Sequence, residues 1–264
     1  MIAPAPAKIN LALVVGPARA DGKHELLTVY QRVDLGDRIA VEPARETRVE
    51  GFDDTIVTRA LSRLPGAWRV RIDKSIPVAA GLGGGSSDAA TALRLANEQL
   101  EDPLARDALH ALAATVGADV PFFLHEGPQL GSGDGTCLEP LDLPQDFAVV
   151  LLRPRGETKR ASADVYAAFD GRGGADGFAE RAERLRTTLA AVVRPRDLAA
   201  LPPNDLARSA HAERLLEEGA FRADVTGAGP VLYGLFTRIE DAERAAKRLR
   251  WVGRTWVTAP VWYG

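Results

Sequence analysis

The chain has 264 residues, 46% hydrophobic and 26% charged, which is enough apolar material for one large or two ordinary globular domains and too much for a disordered segment. A formal net charge of −3 leaves no excess of Lys and Arg to neutralise a nucleic-acid backbone or an anionic membrane, so a dedicated polyanion-binding protein is excluded. One cysteine, Cys137, cannot form an internal disulfide, and His24, His110, His125 and His211 lack partners at zinc-site spacing; the reading is a reduced, cytoplasmic scaffold without a bound metal. Only five of the 33 basic residues are lysines, namely Lys8, Lys23, Lys74, Lys159 and Lys247, which makes each lysine informative.

From Lys8 to Val15, Ile9, Leu11, Leu13 and Val15 share one parity, which predicts a half-buried strand. Ala18-Arg19-Ala20 after this apolar run mimics an export-cleavage site, but two prolines precede the lysine and Asn10 interrupts the run, so export is not expected. No run approaches the roughly 18 apolar residues of a membrane span. A turn at 19–25 leads to strands at 28–33 and 38–41, separated at Gly36 and Asp37. A short helix follows at 55–64, then a strand at 68–72 with Trp68, Val70 and Ile72 in alternation.

After Pro77 and a glycine cluster, Ala89, Leu93, Ala96 and Leu100 recur at helical spacing, predicting a helix over 86–100. The next helix opens at Asp102-Pro103, presents Leu104, Ala108, Leu112 and Val116, and stops at Gly117. Residues 147–152 read as a buried strand, and the preceding Leu-Pro-Gln-Asp as a boundary between domains 1–145 and 146–264. Helices are expected near 176–193 and 204–218, a strand at 231–236, and a last helix over about 240–250 with Ala242, Ala245 or Ala246, and Leu249 inward. Strands and helices mix in both halves, which places the chain among α+β or α/β proteins.

Pro77 to Ala90 reads PVAAGLGGGSSDAA. Four glycines in five positions allow several backbone N–H groups to converge on an anion, and the following helix adds its unpaired donors and the positive end of its dipole. Ser86 and Ser87 supply hydroxyls for phosphate oxygens or for a bound Mg²⁺. The pattern is neither G-x-x-x-x-G-K-[ST] nor the dinucleotide-binding G-x-G-x-x-G, and the protein-kinase signatures are missing. A serine-capped helix after a flexible turn is the plain alternative, but a cap does not require so much backbone freedom. Lys8 and Asn10 leave the same face of their strand; taken alone, such a lysine is read as snorkelling from the strand end. Asp119 in Gly117-Ala-Asp-Val-Pro121 is likewise, taken alone, a turn or N-cap residue.

Together these segments resemble the GHMP family of small-molecule kinases. The resemblance rests on Pro6-Ala-Lys-Ile-Asn10, Arg19-Ala-Asp-Gly-Lys-His-Glu25, Pro77 to Ala90, Gly117 to Pro121, Asn204-Asp-Leu206 and Thr226-Gly-Ala-Gly-Pro230, in the family's order over most of the chain. The triple glycine before Ser-Ser-Asp and the A-D-G-x-H-E turn point within it to the branch acting on a cytidine diphosphate-linked methylerythritol. The resemblance implies an α+β, two-domain fold: an N-terminal ribosomal protein S5 domain 2-like ATP- and substrate-binding domain, and a ferredoxin-like C-terminal domain. It further implies ATP-dependent phosphorylation of that substrate's 2-hydroxyl, in the methylerythritol phosphate route of isoprenoid biosynthesis, by a cytoplasmic monomer or weak homodimer. ATP is the co-substrate and brings Mg²⁺ with it.

By the same resemblance Lys8 and Asp119 are the catalytic pair, and Pro77, Val78, Ala79, Ala80, Gly81, Leu82, Gly83, Gly84, Gly85, Ser86 and Ser87 wrap the ATP phosphates. Asn10, Lys23, His24, Ser162, Tyr166 and Thr226 are the implied substrate-binding residues, with His24 reading the cytosine edge and Tyr166 stacking on the base. The sequence departs from the family in two places. Lys23 replaces the usual tyrosine, which removes half of an aromatic sandwich, since a lysine stem or ammonium cannot stack as a ring does. Asp54-Thr55-Ile56 stands where the family often has an Asn-Leu pair near the adenine.

Phosphoryl transfer proceeds through a loose transition state, so positioning and charge stabilisation are expected to dominate. A carboxylate with a reference pKa of about 3.9 cannot deprotonate an alcohol early, so Asp119 is read as orienting the hydroxyl and taking its proton late. Lys8 nearby keeps Asp119 ionised and offsets charge on the transferring group. A homoserine or mevalonate kinase would share the glycine loop but lack the A-D-G-x-H-E turn, and a non-catalytic nucleotide-binding regulator would need neither Lys8 nor Asp119. The basic stretch 153–161 reads as a solvated charge run that could also meet phosphates.

Overall fold

The computed structural model describes residues 1–52 and 55–262, and all structural statements below concern these described residues. Two sheets carry the fold. The first joins β1 (Ile2–Ala18), β2 (His24–Pro43), β3 (Arg48–Glu50), β4 (Trp68–Asp73), β5 (Gln129–Gly133) and β6 (Cys137–Pro140), in the order β3-β4-β2-β5-β6 with β1 paired along β2. The second joins β7 (Ala148–Pro154), β8 (Arg222–Val225), β9 (Leu232–Phe236) and β10 (Gly253–Thr258), all antiparallel, in the order β10-β7-β9-β8.

Where a half-buried strand was predicted, β1 is buried on both faces, because helices cover one side of the first sheet and the second sheet covers the other. The two strands predicted on either side of Gly36 and Asp37 are one continuous β2. The register slips there, Pro6 facing Gly36 while Ala7 faces Val33, so the interruption is a bulge rather than a break. Gly36 permits it: a Cβ there would lie 3.1 Å from the Ala5 carbonyl oxygen. β4 matches its alternation, with Trp68, Val70 and Ile72 buried.

One core lies between the first sheet and α1 (Thr55–Leu61), α2 (Gly84–Asn97) and α3 (Arg106–Ala114). In α3 the predicted stripe is displaced: Leu109 and Ala113 are buried while Ala108 faces solvent. The cause is local. The Asn97 side chain bonds both backbone groups of Leu104, at 2.8 and 3.0 Å, and holds that residue outside the helix. A second core is shared between β1 and β2 of one sheet and β7 and β9 of the other, with Ile9, Leu11 and Val29 meeting Val149, Leu151 and Tyr233.

The helix predicted over 204–218 is only α6 (His211–Glu217), because Asn204 is buried and spends its side chain on backbone groups of 206, 225 and 227. α4 (Ser162–Asp170) was not anticipated as a helix. α5 (Phe178–Ala190) lies within its predicted span, and α7 (Ile239–Arg248) buries Ala242, Ala245 and Ala246 as expected. No described helix is long and apolar enough to cross a membrane.

Candidate active site

The site is assembled on β1, β2 and the start of α2. Lys8 and Asn10 do leave one face of β1, and the Lys8 ammonium donates to Asn10 Oδ1 at 2.7 Å. Asn10 is fixed in turn: its Nδ2 donates to Thr28 Oγ1 at 2.8 Å, and its backbone N–H donates to Thr226 Oγ1 at 3.1 Å. Lys8 N–H donates to the Leu82 carbonyl at 2.9 Å, which ties β1 to the glycine loop. The snorkelling alternative for Lys8 therefore fails, since its side chain is only 4% exposed and ends in polar partners.

The loop needs its glycines for space as well as freedom. Gly81 has φ +81°, and a Cβ there would sit 2.6 Å from the Thr226 carbonyl oxygen. Gly83 has φ +72°, precedes the first helical residue of α2, and a Cβ there would press on the Lys8 stem at 3.0 Å and on Phe123 at 3.1 Å. Both positions are backbone conformations that other residues enter at a cost. The N-terminus of α2 thus opens directly beside Lys8.

Asp119 stands on the turn that precedes a short 3₁₀ segment, Pro121–Leu124. Its Oδ2 lies 3.4 Å from Lys8 Nζ, and its Oδ1 accepts a 3.1 Å hydrogen bond from Tyr30. Tyr30 is buried, stacks on Phe122 with ring centroids 4.8 Å apart, and presents its ring 5.6 Å from the Lys8 ammonium. Burial, followed by the charge of Asp119, raises the Tyr30 pKa well above its ordinary value, so the phenol remains a neutral donor. Sequence reasoning missed Tyr30. The available signal was its parity with Thr28 on β2, directly across from Asn10 in the β1–β2 register.

These groups line a cleft of about 470 Å³. Pro77 to Ser86, Lys8, Asn10, Tyr30 and Asp119 form its middle. Phe52, Thr55, Ile56 and Lys74 line one part, and Lys159, Ser162, Tyr166, Leu206, Gly227 and Ala228 another. Of the basic stretch 153–161, Lys159 reaches this cleft, whereas Arg153 and Arg155 border a separate groove with Arg254. The departure noted at Asp54 lies outside the described residues.

Four expected site residues do not line the cleft. Ser87 is fully buried in the first turn of α2, and its hydroxyl is enclosed without a hydrogen-bond partner and does not line the cleft. Thr226 is fully buried as well, and acts through the Asn10 backbone. Lys23 pairs with Asp134 at 2.5 Å on the β5–β6 turn, which engages its ammonium outside the cleft lining. That ammonium and the Thr136 hydroxyl outweigh partial burial and hold the Asp134 carboxyl down at about 2. His24 stacks on Tyr166, with ring centroids 4.6 Å apart and planes 25° from parallel, and its Nε2 meets Asp170 Oδ1 at 2.8 Å. Tyr166 is thus covered by His24 on one face, which links β2 to α4.

Comparison with known proteins agrees with this arrangement. Residues 52–127 match the GHMP kinases N terminal domain. A 4-diphosphocytidyl-2-C-methyl-D-erythritol kinase from Prosthecochloris aestuarii is 33% identical over 92% of this chain and 91% of the relative. Its counterpart from Anaeromyxobacter dehalogenans is 39% identical over 92% of this chain and 82% of the relative. A crystal structure of 4-(cytidine 5'-diphospho)-2C-methyl-D-erythritol kinase superposes with a TM-score of 0.76 at 32% identity, covering 98% of this chain and 99% of the other. The glycine loop, the Lys8–Asp119 pair and near full-length similarity lead to one conclusion: the chain belongs to the 4-diphosphocytidyl-2-C-methyl-D-erythritol kinase family of the GHMP kinases.

Proposed function

We propose that the protein transfers the γ-phosphoryl group of ATP, carried with Mg²⁺, to the 2-hydroxyl of 4-diphosphocytidyl-2-C-methyl-D-erythritol, a step of the methylerythritol phosphate route to isoprenoids. The observation that carries this reading is the meeting of Lys8, Asn10 and Asp119 at the mouth of the glycine loop, with Lys8 Nζ and Asp119 Oδ2 only 3.4 Å apart. Amides of the loop and the N-terminus of α2 receive the phosphates without a side-chain cation at each oxygen. Ser86 lines the cleft and offers a hydroxyl at the same place.

In the reaction the substrate's 2-hydroxyl oxygen forms the new bond to the γ-phosphorus while the bond to the β–γ bridging oxygen breaks and ADP leaves. Tyr30 occupies Asp119 Oδ1, so Oδ2 is the oxygen that faces Lys8 and the acceptor hydroxyl. Asp119 orients that hydroxyl and receives its proton once the O–P bond has largely formed. The Lys8 ammonium, held by Asn10, offsets charge on the transferring group. A compact ammonium fits between a carboxylate and a phosphoryl oxygen where a guanidinium fork would crowd.

The cytidine end of the substrate is assigned to Ser162, Tyr166 and His24. Because His24 covers one face of Tyr166 at 4.6 Å, a cytosine that stacks on Tyr166 either takes its other face or parts these two rings. Asp119→Asn and Lys8→Ala test the reading: kcat for each is expected to fall by about a hundredfold or more. Wild-type rates in either variant would remove that residue from the mechanism.

A further inference from the structure

The glycine loop is tied at both ends to one partly buried ammonium. Lys74 follows β4, and its Nζ donates to Asp37 Oδ2 at 2.5 Å and to Asp88 Oδ2 at 2.7 Å. Asp37, on β2, has no exposed side-chain surface, and its Oδ1 accepts from the N–H groups of Ser75 at 2.6 Å and Ile76 at 2.8 Å, which lead into the loop. Asp88 is buried in the first turns of α2, where the loop ends. A Cβ on Gly84 would lie 3.3 Å from Lys74 Nζ, so the ammonium rests against the first helical residue. The Phe52 ring, 5.4 Å away, also packs near it.

Two carboxyls share one ammonium in this cluster, and Asp88 Oδ1 is buried without a hydrogen-bond partner. Such an arrangement is costly unless it fixes something. Between the entry at residues 75–76 and the exit at 84–88 the chain is rich in glycine, and a loop so free loses much entropy when its amides are ordered around an anion. Holding both ends before the ligand arrives removes part of that cost from binding.

We propose that Asp37, Lys74 and Asp88 form a positioning clamp, which sets the distance between the two ends of the loop so that its amides converge on the nucleotide triphosphate. Neither Asp37 nor Asp88 touches the nucleotide; both act through the Lys74 ammonium, and Asp37 also through the Ser75 and Ile76 amides. The proposal rests on the reading that this loop binds ATP.

Asp37→Asn separates the two roles of Asp37. Its carbonyl oxygen can still accept from Ser75 and Ile76, while its amide presents a donor to the ammonium and breaks the clamp. MgATP titration and steady-state kinetics are measured on wild type, Asp37→Asn, Lys74→Met and the double variant. Both single variants are expected to weaken MgATP binding and raise KM for ATP by about tenfold, with kcat and KM for the cytidylyl substrate within about twofold of wild type. The double variant should be no weaker than either single, because all three lose the same clamp. Asp88→Leu, which removes an acceptor from the other side, provides the same readout should Asp37→Asn not fold.

Wild-type affinity in a folded Asp37→Asn or Asp88→Leu overturns the clamp. So does an effect confined to Lys74→Met, which would make Lys74 a direct ligand contact. A wild-type protein that does not bind MgATP refutes the loop reading itself, and the two failures are thereby distinguished.

Discussion

Tyr30 and Asp88 are two buried groups whose ionisation is displaced by the same force with different consequences. Tyr30 gives Asp119 a neutral donor, so one carboxylate oxygen is fixed while the other stays available. Asp88 is a carboxyl whose pKa is pushed up to about 8 by burial, with Asp37 adding to the rise and Lys74 opposing it. Its ordinary value is about 3.9, so between these limits the folded protein holds a proton that the unfolded chain has released. Stability therefore falls as pH rises through this window. Asp88→Asn carries no such proton, and its Tm relative to wild type is expected to climb steadily from pH 5 to pH 8, a trend read by thermal melts at matched ionic strength. Parallel curves would contradict the assignment. Lys8 and Asn10 were legible as site residues through the family resemblance, since strand parity alone places them on one face and leaves Lys8 read as snorkelling. Tyr30 was not, since a tyrosine in an apolar strand reads as core until its hydroxyl has a known partner. Thr226 and Ser87 were legible as motif residues, but only the structure reveals that both are buried behind the residues that line the cleft.

At the scale of elements, the glycine loop and α2 could be read directly, because glycine freedom and helical spacing are local properties. The bulge in β2, the displaced stripe of α3 and the shortened α6 could not, because each depends on a packing or side-chain contact that periodicity does not register: Gly36 against the Ala5 backbone, Leu104 held by Asn97, and Asn204 spent on 206, 225 and 227. The histidines are a further case. Arg106 Nη2 lies 3.0 Å from His125 Nδ1, His125 Nε2 lies 2.7 Å from His110 Nδ1, and His110 Nε2 lies 3.0 Å from the Thr136 carbonyl. A guanidinium can only donate and a carbonyl can only accept, so the chain of bonds runs one way and requires both imidazoles to be neutral. It joins α3, the end of the 3₁₀ segment and the β5–β6 turn. Burial, then Arg106, His110 and Arg32, lower the His125 pKa to about 4 against a small opposing pull from Asp107. Between about 6.5 and this value the unfolded chain binds the proton more readily, so acidification through that window destabilises the fold. His125→Gln is expected to lose this component: the Tm of wild type should fall relative to that of the variant as pH drops from 7 to 4.5. A constant gap would contradict the one-way chain.

For the molecule as a whole, a net charge of −3 is compatible with the proposed binding of a highly charged nucleotide, because a few placed donors in the cleft can serve it without a basic surface. Of the five lysines, Lys8, Lys74 and Lys159 line the cleft, but Lys74 is held by Asp37 and Asp88, and Lys23, expected there from its motif, is held by Asp134. Backbone amides of the loop and the dipole of α2 supply the rest. The shared core between the two sheets keeps β1, which carries Lys8 and Asn10, packed against β7 and β9, and so fixes these two residues relative to the second half of the chain. The most direct test is ADP release measured side by side with 4-diphosphocytidyl-2-C-methyl-D-erythritol, homoserine and mevalonate, with the phosphorylated position of the product identified. The expected result is turnover of the cytidylyl substrate at its 2-hydroxyl, with kcat/KM exceeding the other two by at least about a hundredfold. Equal or faster turnover of homoserine or mevalonate, or a product phosphorylated elsewhere, would contradict the account.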